Sequence, residues 1–191
     1  MRTFDFYYEL GSPYSYLAAT QLKGLEERTG AQATAIPIAL GGVRKALGTN
    51  MPSQAQLVYM GKDVGRWARK YGVKMLLPSS FPARTLPALR ACLAAEEIGK
   101  GREAMLALFA AHWTGDQDLG QLPLVKAALD QAGLNGAALV ARVEAPEIKE
   151  RLKAYTDRAV ERGVFGVPMF FVGEKPYWGN DRLEFVEAAL R

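Results

Sequence analysis

Gly11-Ser12-Pro13-Tyr14-Ser15-Tyr16 joins two segments of different periodicity near the start of this 191-residue chain. The residues before it, from Thr3 to Glu9, carry aromatic side chains at every second position, which predicts a β-strand. The residues after it repeat apolar side chains at the spacing of one helix face. A strand therefore passes into a helix at Ser12. Pro13 takes the first helical position, where the N–H that proline lacks would have no partner.

Ser12 has two interpretations at this junction. As a helix N-cap, its hydroxyl accepts a hydrogen bond from a free backbone N–H of the first turn. Alternatively, the junction holds an anion, because backbone N–H groups and the helix dipole favour negative charge there. Thioredoxin-like proteins have Cys-x-x-Cys at this position, whereas this chain reads Ser12-Pro13-Tyr14-Ser15. Serine forms no disulfide, but its hydroxyl can donate a hydrogen bond to the thiolate of a bound thiol cofactor.

The composition argues against several classes of protein. The net charge is +4, and lysine and arginine are spread along the chain, so an anionic small molecule is a better partner than nucleic acid. The only cysteine, Cys92, cannot form an internal disulfide and lies in an apolar helical run, which is typical of a core residue. The only histidine, His112, also lies on an apolar face, and a core position is favoured over a catalytic base. One cysteine and one histidine offer no metal-ligand cluster, so no metal is expected.

No targeting or membrane segment is recognisable. The chain passes from its first residues directly into a strand, without a signal peptide, and no apolar run approaches membrane-spanning length. We therefore expect a cytoplasmic protein with no membrane partner.

The order of the predicted elements indicates an α/β fold with an insertion. After the first strand and helix, further strands are expected at 31–40, 164–172 and 176–178. Pro37 removes a hydrogen-bond donor, so the second strand should lie at a sheet edge or carry a bulge. A loop rich in glycine and cations is predicted at 41–52, and helices follow up to Gly163. Residues 1–40 and 163–191 would then form a sheet domain, with 41–162 as an inserted helical domain.

Three motifs resemble a known family. They are Phe6-Tyr7-Tyr8-Glu9 with Ser12-Pro13-Tyr14-Ser15-Tyr16-Leu17-Ala18, Gly163-Val164-Phe165-Gly166-Val167-Pro168, and Trp178-Gly179-Asn180-Asp181-Arg182-Leu183. Together they resemble the 2-hydroxychromene-2-carboxylate isomerases, which are DsbA-like proteins related to the kappa-class glutathione transferases. The resemblance implies a thioredoxin-like fold with a large all-helical insertion, a glutathione cofactor and a homodimer.

The resemblance also implies roles for single residues in binding glutathione. Ser12 would contact the sulfur and favour its thiolate, as the catalytic residue. Val167, before a cis Pro168, would pair its backbone with the glutathione main chain. Asn180 and Asp181 would hold the γ-glutamyl end. Two simpler interpretations stay open, namely an ordinary trans X-Pro bond at Pro168 and plain helix capping by Asn180 and Asp181.

The implied reaction interconverts the cyclic hemiketal 2-hydroxychromene-2-carboxylate and trans-o-hydroxybenzylidenepyruvate, in the breakdown of aromatic compounds. The route is reversible addition of a thiolate, bond rotation and elimination. For this anionic aromatic substrate, the resemblance places a basic contact at Arg44 or Lys45 and a polar contact at Asn50. Phe81 stands where an aromatic phenol would align. Two other functions stay open, a glutathione transferase that conjugates electrophiles and a non-catalytic glutathione-binding module.

Overall fold

The computed structural model describes residues 2–191, in which a four-stranded mixed sheet is flanked by helices. The strands are β1 (Thr3–Tyr8), β2 (Gln32–Pro37), β3 (Met169–Val172) and β4 (Lys175–Trp178). Their order in the sheet is β2-β1-β3-β4, with β1 parallel to β2 and antiparallel to β3, and β4 antiparallel to β3. Pro37 ends the edge strand β2, as the missing N–H predicts.

Most of the remaining described residues are helical. The helices are α1 (Pro13–Thr29), α2 (Leu40–Leu47), α3 (Gln54–Tyr71), α4 (Leu86–Glu96), α5 (Gly101–Trp113), α6 (Leu122–Gln131), α7 (Gly136–Arg142), α8 (Pro146–Glu161) and α9 (Leu183–Leu190). A 3₁₀ turn (Asn180–Arg182) precedes α9. Within residues 2–191, every helix is too short or too polar to span a bilayer.

Local sequence signals set both ends of α1. Ser12 has an extended backbone, and its Oγ accepts a hydrogen bond of 3.2 Å from the Ser15 N–H, so the N-cap interpretation is confirmed. At the other end Gly30 takes a left-handed conformation with φ 67°, and its N–H donates to the Glu26 carbonyl. The helix is thereby held with its first turn directly beyond the end of β1.

A continuous hydrophobic core joins the sheet to the helices between β2 and β3. Phe6 stacks on Phe170 across β1 and β3, with ring centroids 5.2 Å apart, and Tyr8 packs against Phe109 of α5 at 5.7 Å. Cys92 and His112 are both buried, which confirms their predicted core positions. The division into a sheet domain and an inserted helical domain stays a prediction.

Three segments differ from their predicted structure. The predicted loop at 41–52 contains α2, because Val43 is fully buried and Gly42 packs closely against Thr156 of α8, and this packing outweighs the poor helix propensity of glycine. Strand β3 begins only after Pro168, which cannot donate to a strand ladder. The strand predicted at 31–40 ends at Pro37, because α2 already begins at Leu40.

Candidate active site

A cavity of about 1460 Å³ lies where β1 meets the first turn of α1. Its walls come both from the loops around the sheet and from the helices between β2 and β3. Seven of the residues singled out in the sequence line it, namely Ser12, Arg44, Phe81, Val167, Pro168, Asn180 and Asp181. Lys45 and Asn50 are exposed residues outside this lining. Of the two candidate basic contacts, the cavity therefore brings Arg44 and not Lys45 to the other site residues.

Ser12 stands at the centre of this arrangement. Its hydroxyl is buried, accepts from the Ser15 N–H, and donates to the Val167 carbonyl at 3.4 Å. That distance is long for an O–H···O bond, so the hydroxyl proton is only weakly held. The N-terminal end of the α1 dipole adds positive potential at the same place. The hydroxyl can therefore turn its proton toward an anion in the cavity.

The backbone beside Ser12 comes from the segment before β3. The Val167-Pro168 peptide bond is cis, as predicted, and the Phe81-Pro82 bond, for which no prediction was made, is also cis. The Pro168 carbonyl accepts a 2.9 Å hydrogen bond from the Gly179 N–H, which ties this segment to the turn before α9. The Val167 carbonyl faces the Ser12 hydroxyl in the cavity lining, and the Val167 side chain itself is buried.

Asn180 and Asp181 occupy the 3₁₀ turn that follows β4. Asn180 is buried, and its backbone carbonyl accepts a 2.8 Å hydrogen bond from the Tyr71 hydroxyl of α3. The Asn180 side-chain amide in turn donates to the Tyr71 hydroxyl oxygen at 3.4 Å. Asp181 is more exposed and pairs with Arg182 at 2.6 Å. The N-cap positions of the turn and of α9 belong to Gly179 and Arg182, so simple capping by Asn180 and Asp181 is wrong.

Gly179 is required for the shape of this turn. Its φ is 109°, a conformation that residues with side chains rarely adopt. A Cβ at this position would also lie 2.3 Å from Asp181 Oδ1. The glycine therefore lets the Asp181 carboxylate fold back over the turn and face the cavity.

A second contact between the residues around the sheet and α3 lies in the cavity lining. The Tyr14 hydroxyl donates a 3.0 Å hydrogen bond to Asp63 Oδ2. Burial and this hydrogen bond both raise the pKa of Tyr14, so the phenol stays protonated and does not add a negative charge beside Ser12. Tyr14 belongs to the quoted Ser12 motif, but neither residue was assigned a role in the site from the sequence.

Glu9 is the main site residue that the sequence analysis missed. Its side chain is 8% exposed and lines the cavity three residues before Ser12. One carboxyl oxygen accepts a 2.9 Å bond from the Gly11 N–H, and the other accepts from the Thr85 hydroxyl. Burial raises its pKa to about 7, although both hydrogen bonds and the charge of Arg44 act in the opposite direction. The signal that could have found it is a carboxylate directly after an aromatic-rich strand and three residues before Ser12.

Another part of the cavity lining is cationic and aromatic. Arg44, Arg84 and Arg90 line it, and Phe81 packs there against Trp113 with ring centroids 6.2 Å apart. Arg90 bonds Glu144 through one terminal nitrogen, while its buried Nε has no hydrogen-bond partner within residues 2–191. A small aromatic anion meets both kinds of contact in this part of the lining. In the same described part of the chain, no group of three or more His, Cys, Asp or Glu is placed to hold a metal ion.

Comparison with known proteins agrees with this geometry. A family model described as a DSBA-like thioredoxin domain matches residues 3–191. A 2-hydroxychromene-2-carboxylate isomerase of Sphingobium xenophagum is 33% identical over 195 residues, covering 99% of this chain and 98% of the relative. The solved structure of a 2-hydroxychromene-2-carboxylate isomerase superposes with a TM-score of 0.90 at 29% identity, covering 98% of this chain and 94% of that one. Glutathione S-transferase kappa 1 of Rattus norvegicus is 24% identical, covering 99% of this chain and 91% of its own length. The predicted DsbA-like thioredoxin fold is therefore confirmed.

Proposed function

The chain belongs to the DsbA-like thioredoxin family and, within it, to the 2-hydroxychromene-2-carboxylate isomerases, and from this premise we propose that it is a glutathione-dependent enzyme. Family membership confirms the prediction of an isomerase. The proposed reaction interconverts 2-hydroxychromene-2-carboxylate and trans-o-hydroxybenzylidenepyruvate, in the breakdown of aromatic compounds. The proposed cofactor is glutathione, with its thiolate stabilised by Ser12.

The observation that carries this proposal is the state of the Ser12 hydroxyl. It lies at the first turn of α1, donates only a long 3.4 Å hydrogen bond, and opens into the large cavity. A weakly bonded hydroxyl at a helix N-terminus fits a thiolate, because it supplies a donor where the backbone already favours negative charge. The chain has no second cysteine with which a disulfide mechanism could operate.

The residues around Ser12 fit the rest of a tripeptide thiol. The Val167 backbone lies beside the hydroxyl in the cavity lining and offers hydrogen-bonding groups to a ligand main chain. The buried Asn180 and the more exposed Asp181 offer an amide and a carboxylate to the α-amino and α-carboxylate groups of the γ-glutamyl end. When bound there, glutathione would supply a thiolate that adds reversibly to the conjugated double bond, so that this bond can rotate.

The substrate occupies the cationic and aromatic part of the cavity lining in this proposal. Arg44 pairs with the substrate carboxylate, and Phe81 packs against its aromatic ring. Arg84 and Arg90 add positive charge to the same part of the lining. Lys45 and Asn50 stay predictions without a place in the cavity lining. The ring is thus held in an apolar region while its carboxylate is fixed, which orients the double bond for attack.

The experiment is a direct assay of the purified protein with and without glutathione. It is offered 2-hydroxychromene-2-carboxylate and, separately, chlorodinitrobenzene as a general electrophile. Isomerisation that requires glutathione supports the proposal. Conjugation of the electrophile without isomerisation identifies a transferase, the activity that the name of the kappa-class relatives states. Glutathione binding without turnover of either compound identifies a binding module.

A cytoplasmic homodimer is also proposed, from the family resemblance. Light scattering of the purified protein measures its mass against the 20.9 kDa of one chain. Fractionation of cells that express it measures its location.

A further inference from the structure

The proposed substrate requires a proton transfer that a thiolate does not perform. In the cyclic hemiketal the double bond is part of a ring, so it cannot rotate until the bond between C2 and the ring oxygen breaks. Opening removes the proton of the C2 hydroxyl as the ketone forms, and the released phenolate oxygen takes up a proton. The two transfers balance, so one carboxylate that accepts and then returns a proton is sufficient.

Glu9 is placed in the cavity by contacts to both of its oxygens. Oε2 accepts from the Gly11 N–H at 2.9 Å, and Oε1 accepts from the Thr85 hydroxyl. A Cβ at Gly11 would lie 3.0 Å from Oε2, so the backbone approaches the carboxyl closely only because this residue is glycine. The carboxyl is therefore oriented by the β1–α1 loop on one side and by the residue before α4 on the other.

Ser12 and Glu9 reach different parts of the same cavity. Ser12 contacts Val167, in the segment before β3. Glu9 contacts Thr85, close to Phe81 and the arginines of the cationic and aromatic part of the lining. Three residues of extended chain span at most roughly 10 Å, so one small substrate can meet both groups.

The electrostatic surroundings let this carboxyl exist in both protonation states near neutral pH. Burial raises the pKa of Glu9 to about 7. Arg44 of α2 opposes this rise, and Arg84 and Arg90, from the segment before α4 and from α4 itself, line the same cavity. A group that takes and returns a proton works best with a pKa close to the working pH.

We propose that Glu9 is a second catalytic residue, the acid–base group that opens and closes the hemiketal ring of the substrate. This inference rests on the proposed isomerase function. In the opening direction the Glu9 carboxylate accepts the C2 hydroxyl proton, the C–O bonding pair leaves with the ring oxygen, and the new carboxylic acid protonates that oxygen. Ring closure is the reverse. Thiolate addition and bond rotation take place separately, beside Ser12.

The test compares two substrates in the Glu9→Gln variant. One is 2-hydroxychromene-2-carboxylate, and the other is cis-benzylidenepyruvate without the ortho hydroxyl, which cannot form the ring. With glutathione present, the variant should isomerise the cyclic substrate at least about 100-fold more slowly than wild type, the usual effect of removing an acid–base group. It should isomerise the acyclic substrate within about threefold of wild type, because that reaction needs only thiolate addition and elimination.

The pH profile provides a second reading. With the cyclic substrate, wild-type kcat should fall as the pH drops through about 7, because the carboxylate becomes protonated. With the acyclic substrate, the pH dependence of kcat should reflect the titration of the thiol alone. The fall of kcat near pH 7, which only the cyclic substrate shows in wild type, should be absent in the Glu9→Gln variant.

Two further variants control for structure. Glu96→Gln changes a partly buried carboxylate of α4 that pairs with Arg151 outside this cavity, and it should turn over both substrates as wild type does. Thr85→Val keeps the Glu9 carboxyl but removes the hydroxyl that orients it. Thr85→Val should reduce turnover of the cyclic substrate alone, by about tenfold. If Glu9→Gln does not fold, Thr85→Val replaces it in the test.

The outcomes separate this inference from the proposed function. If wild type isomerises both substrates and Glu9→Gln and Thr85→Val do the same at equal rates, the role of Glu9 is refuted and the isomerase function stands. An equal slowing of both substrates would make Glu9 a structural residue and also refute the inference. If wild type isomerises neither substrate, the proposed function fails and the inference fails with it.

Discussion

Replacing Ser12 by alanine removes two functions of one hydroxyl. The Ser12 Oγ accepts from the Ser15 N–H at 3.2 Å and donates at 3.4 Å toward the Val167 carbonyl. Loss of the first contact removes an N-cap, which costs about 1 kcal/mol of stability. Loss of the donor matters only when an anion is bound, because the bond to the carbonyl is already long. The variant should therefore be slightly less stable and much less active.

The expected loss of activity follows from the pKa of the bound thiol. A free thiol has a pKa of roughly 8.5, so only a small fraction is ionised at neutral pH. A hydrogen bond to a charged group contributes on the order of 1.5–3 kcal/mol, which corresponds to about one to two pKa units. The alanine variant should thus lose at least about tenfold in turnover near neutral pH. Raising the pH should partly restore its rate, because free thiolate then becomes plentiful.

The assay measures kcat and KM for glutathione across the pH range, with unfolding in urea as a parallel measurement. Asn135→Ala is a matched control, because Asn135 caps α7 through a 3.0 Å bond from the Ala138 N–H and lies outside the cavity lining. Both variants should lose a similar stability, but only Ser12→Ala should lose turnover. Glutathione affinity should fall less than turnover, since the N–H groups of α1 remain.

An unchanged rate and an unchanged pH profile in Ser12→Ala would refute the mechanism and leave Ser12 as a helix cap. Ser12→Cys gives an independent check. With oxidised glutathione, a thiol at this position should exchange into a mixed disulfide, and mass spectrometry would detect the added glutathionyl group. Absence of this adduct in a folded variant would mean that glutathione does not lie beside residue 12.

Three further predictions concern residues away from the Ser12 hydroxyl. Cys92→Ala should keep glutathione-dependent turnover within about threefold, because burial raises the pKa of this thiol to about 12 and leaves it un-ionised; a collapse of activity in the folded variant would contradict this. Tyr71→Phe removes the 2.8 Å bond to the Asn180 carbonyl, and should raise KM for glutathione several-fold with kcat nearly unchanged; an unchanged KM would count against a γ-glutamyl site there. Burial favours the protonated form of Glu9 and raises its pKa from 4.5 to about 7. The protonated carboxyl therefore contributes its full free energy of stabilisation below about pH 4.5, and this contribution is lost as the pH rises through about 7. Relative to Glu9→Gln, wild type should therefore lose roughly 3 kcal/mol of unfolding free energy between about pH 4 and pH 8, as urea titrations would measure, and parallel curves would contradict it.

Elements with a strong local signal could be predicted from the sequence. Alternating aromatic residues mark β1, and the Ser12-Pro13 pair and Gly30 mark both ends of α1. These signals act within a few residues, so they do not depend on the rest of the fold. The Val167-Pro168 bond was predicted as cis from the family resemblance, because local sequence alone favours the trans form.

Features that depend on distant contacts could not be predicted. Helix α2 contains two glycines and reads as a loop until Val43 is seen to be buried, in a cluster that includes Ala159 of α8. Glu9 reads as the polar end of a strand, because its partner Thr85 is 76 residues away. Arg90 belongs to a helix whose other residues are apolar except Glu96 at its end, and nothing in the local pattern directs Arg90 to a cavity that begins at β1. Such positions become functional candidates only when the chain is folded.

The cavity is built from pairs that join the residues around the sheet to the helices between β2 and β3. Glu9 is bonded to Thr85, Tyr14 to Asp63, and the Asn180 carbonyl to Tyr71. In each pair the first residue lies near the end of a strand or the start of α1, and its partner comes from the segment between β2 and β3. The hydroxyl of Ser12 alone is a common helix cap. In the proposed reaction, the residues between β2 and β3 add the cations of the cavity lining and the Thr85 hydroxyl that holds the Glu9 carboxyl. If this proposal holds, substitutions in α3 and in the 81–90 segment should alter substrate specificity, while binding of the proposed thiol at Ser12 should be retained.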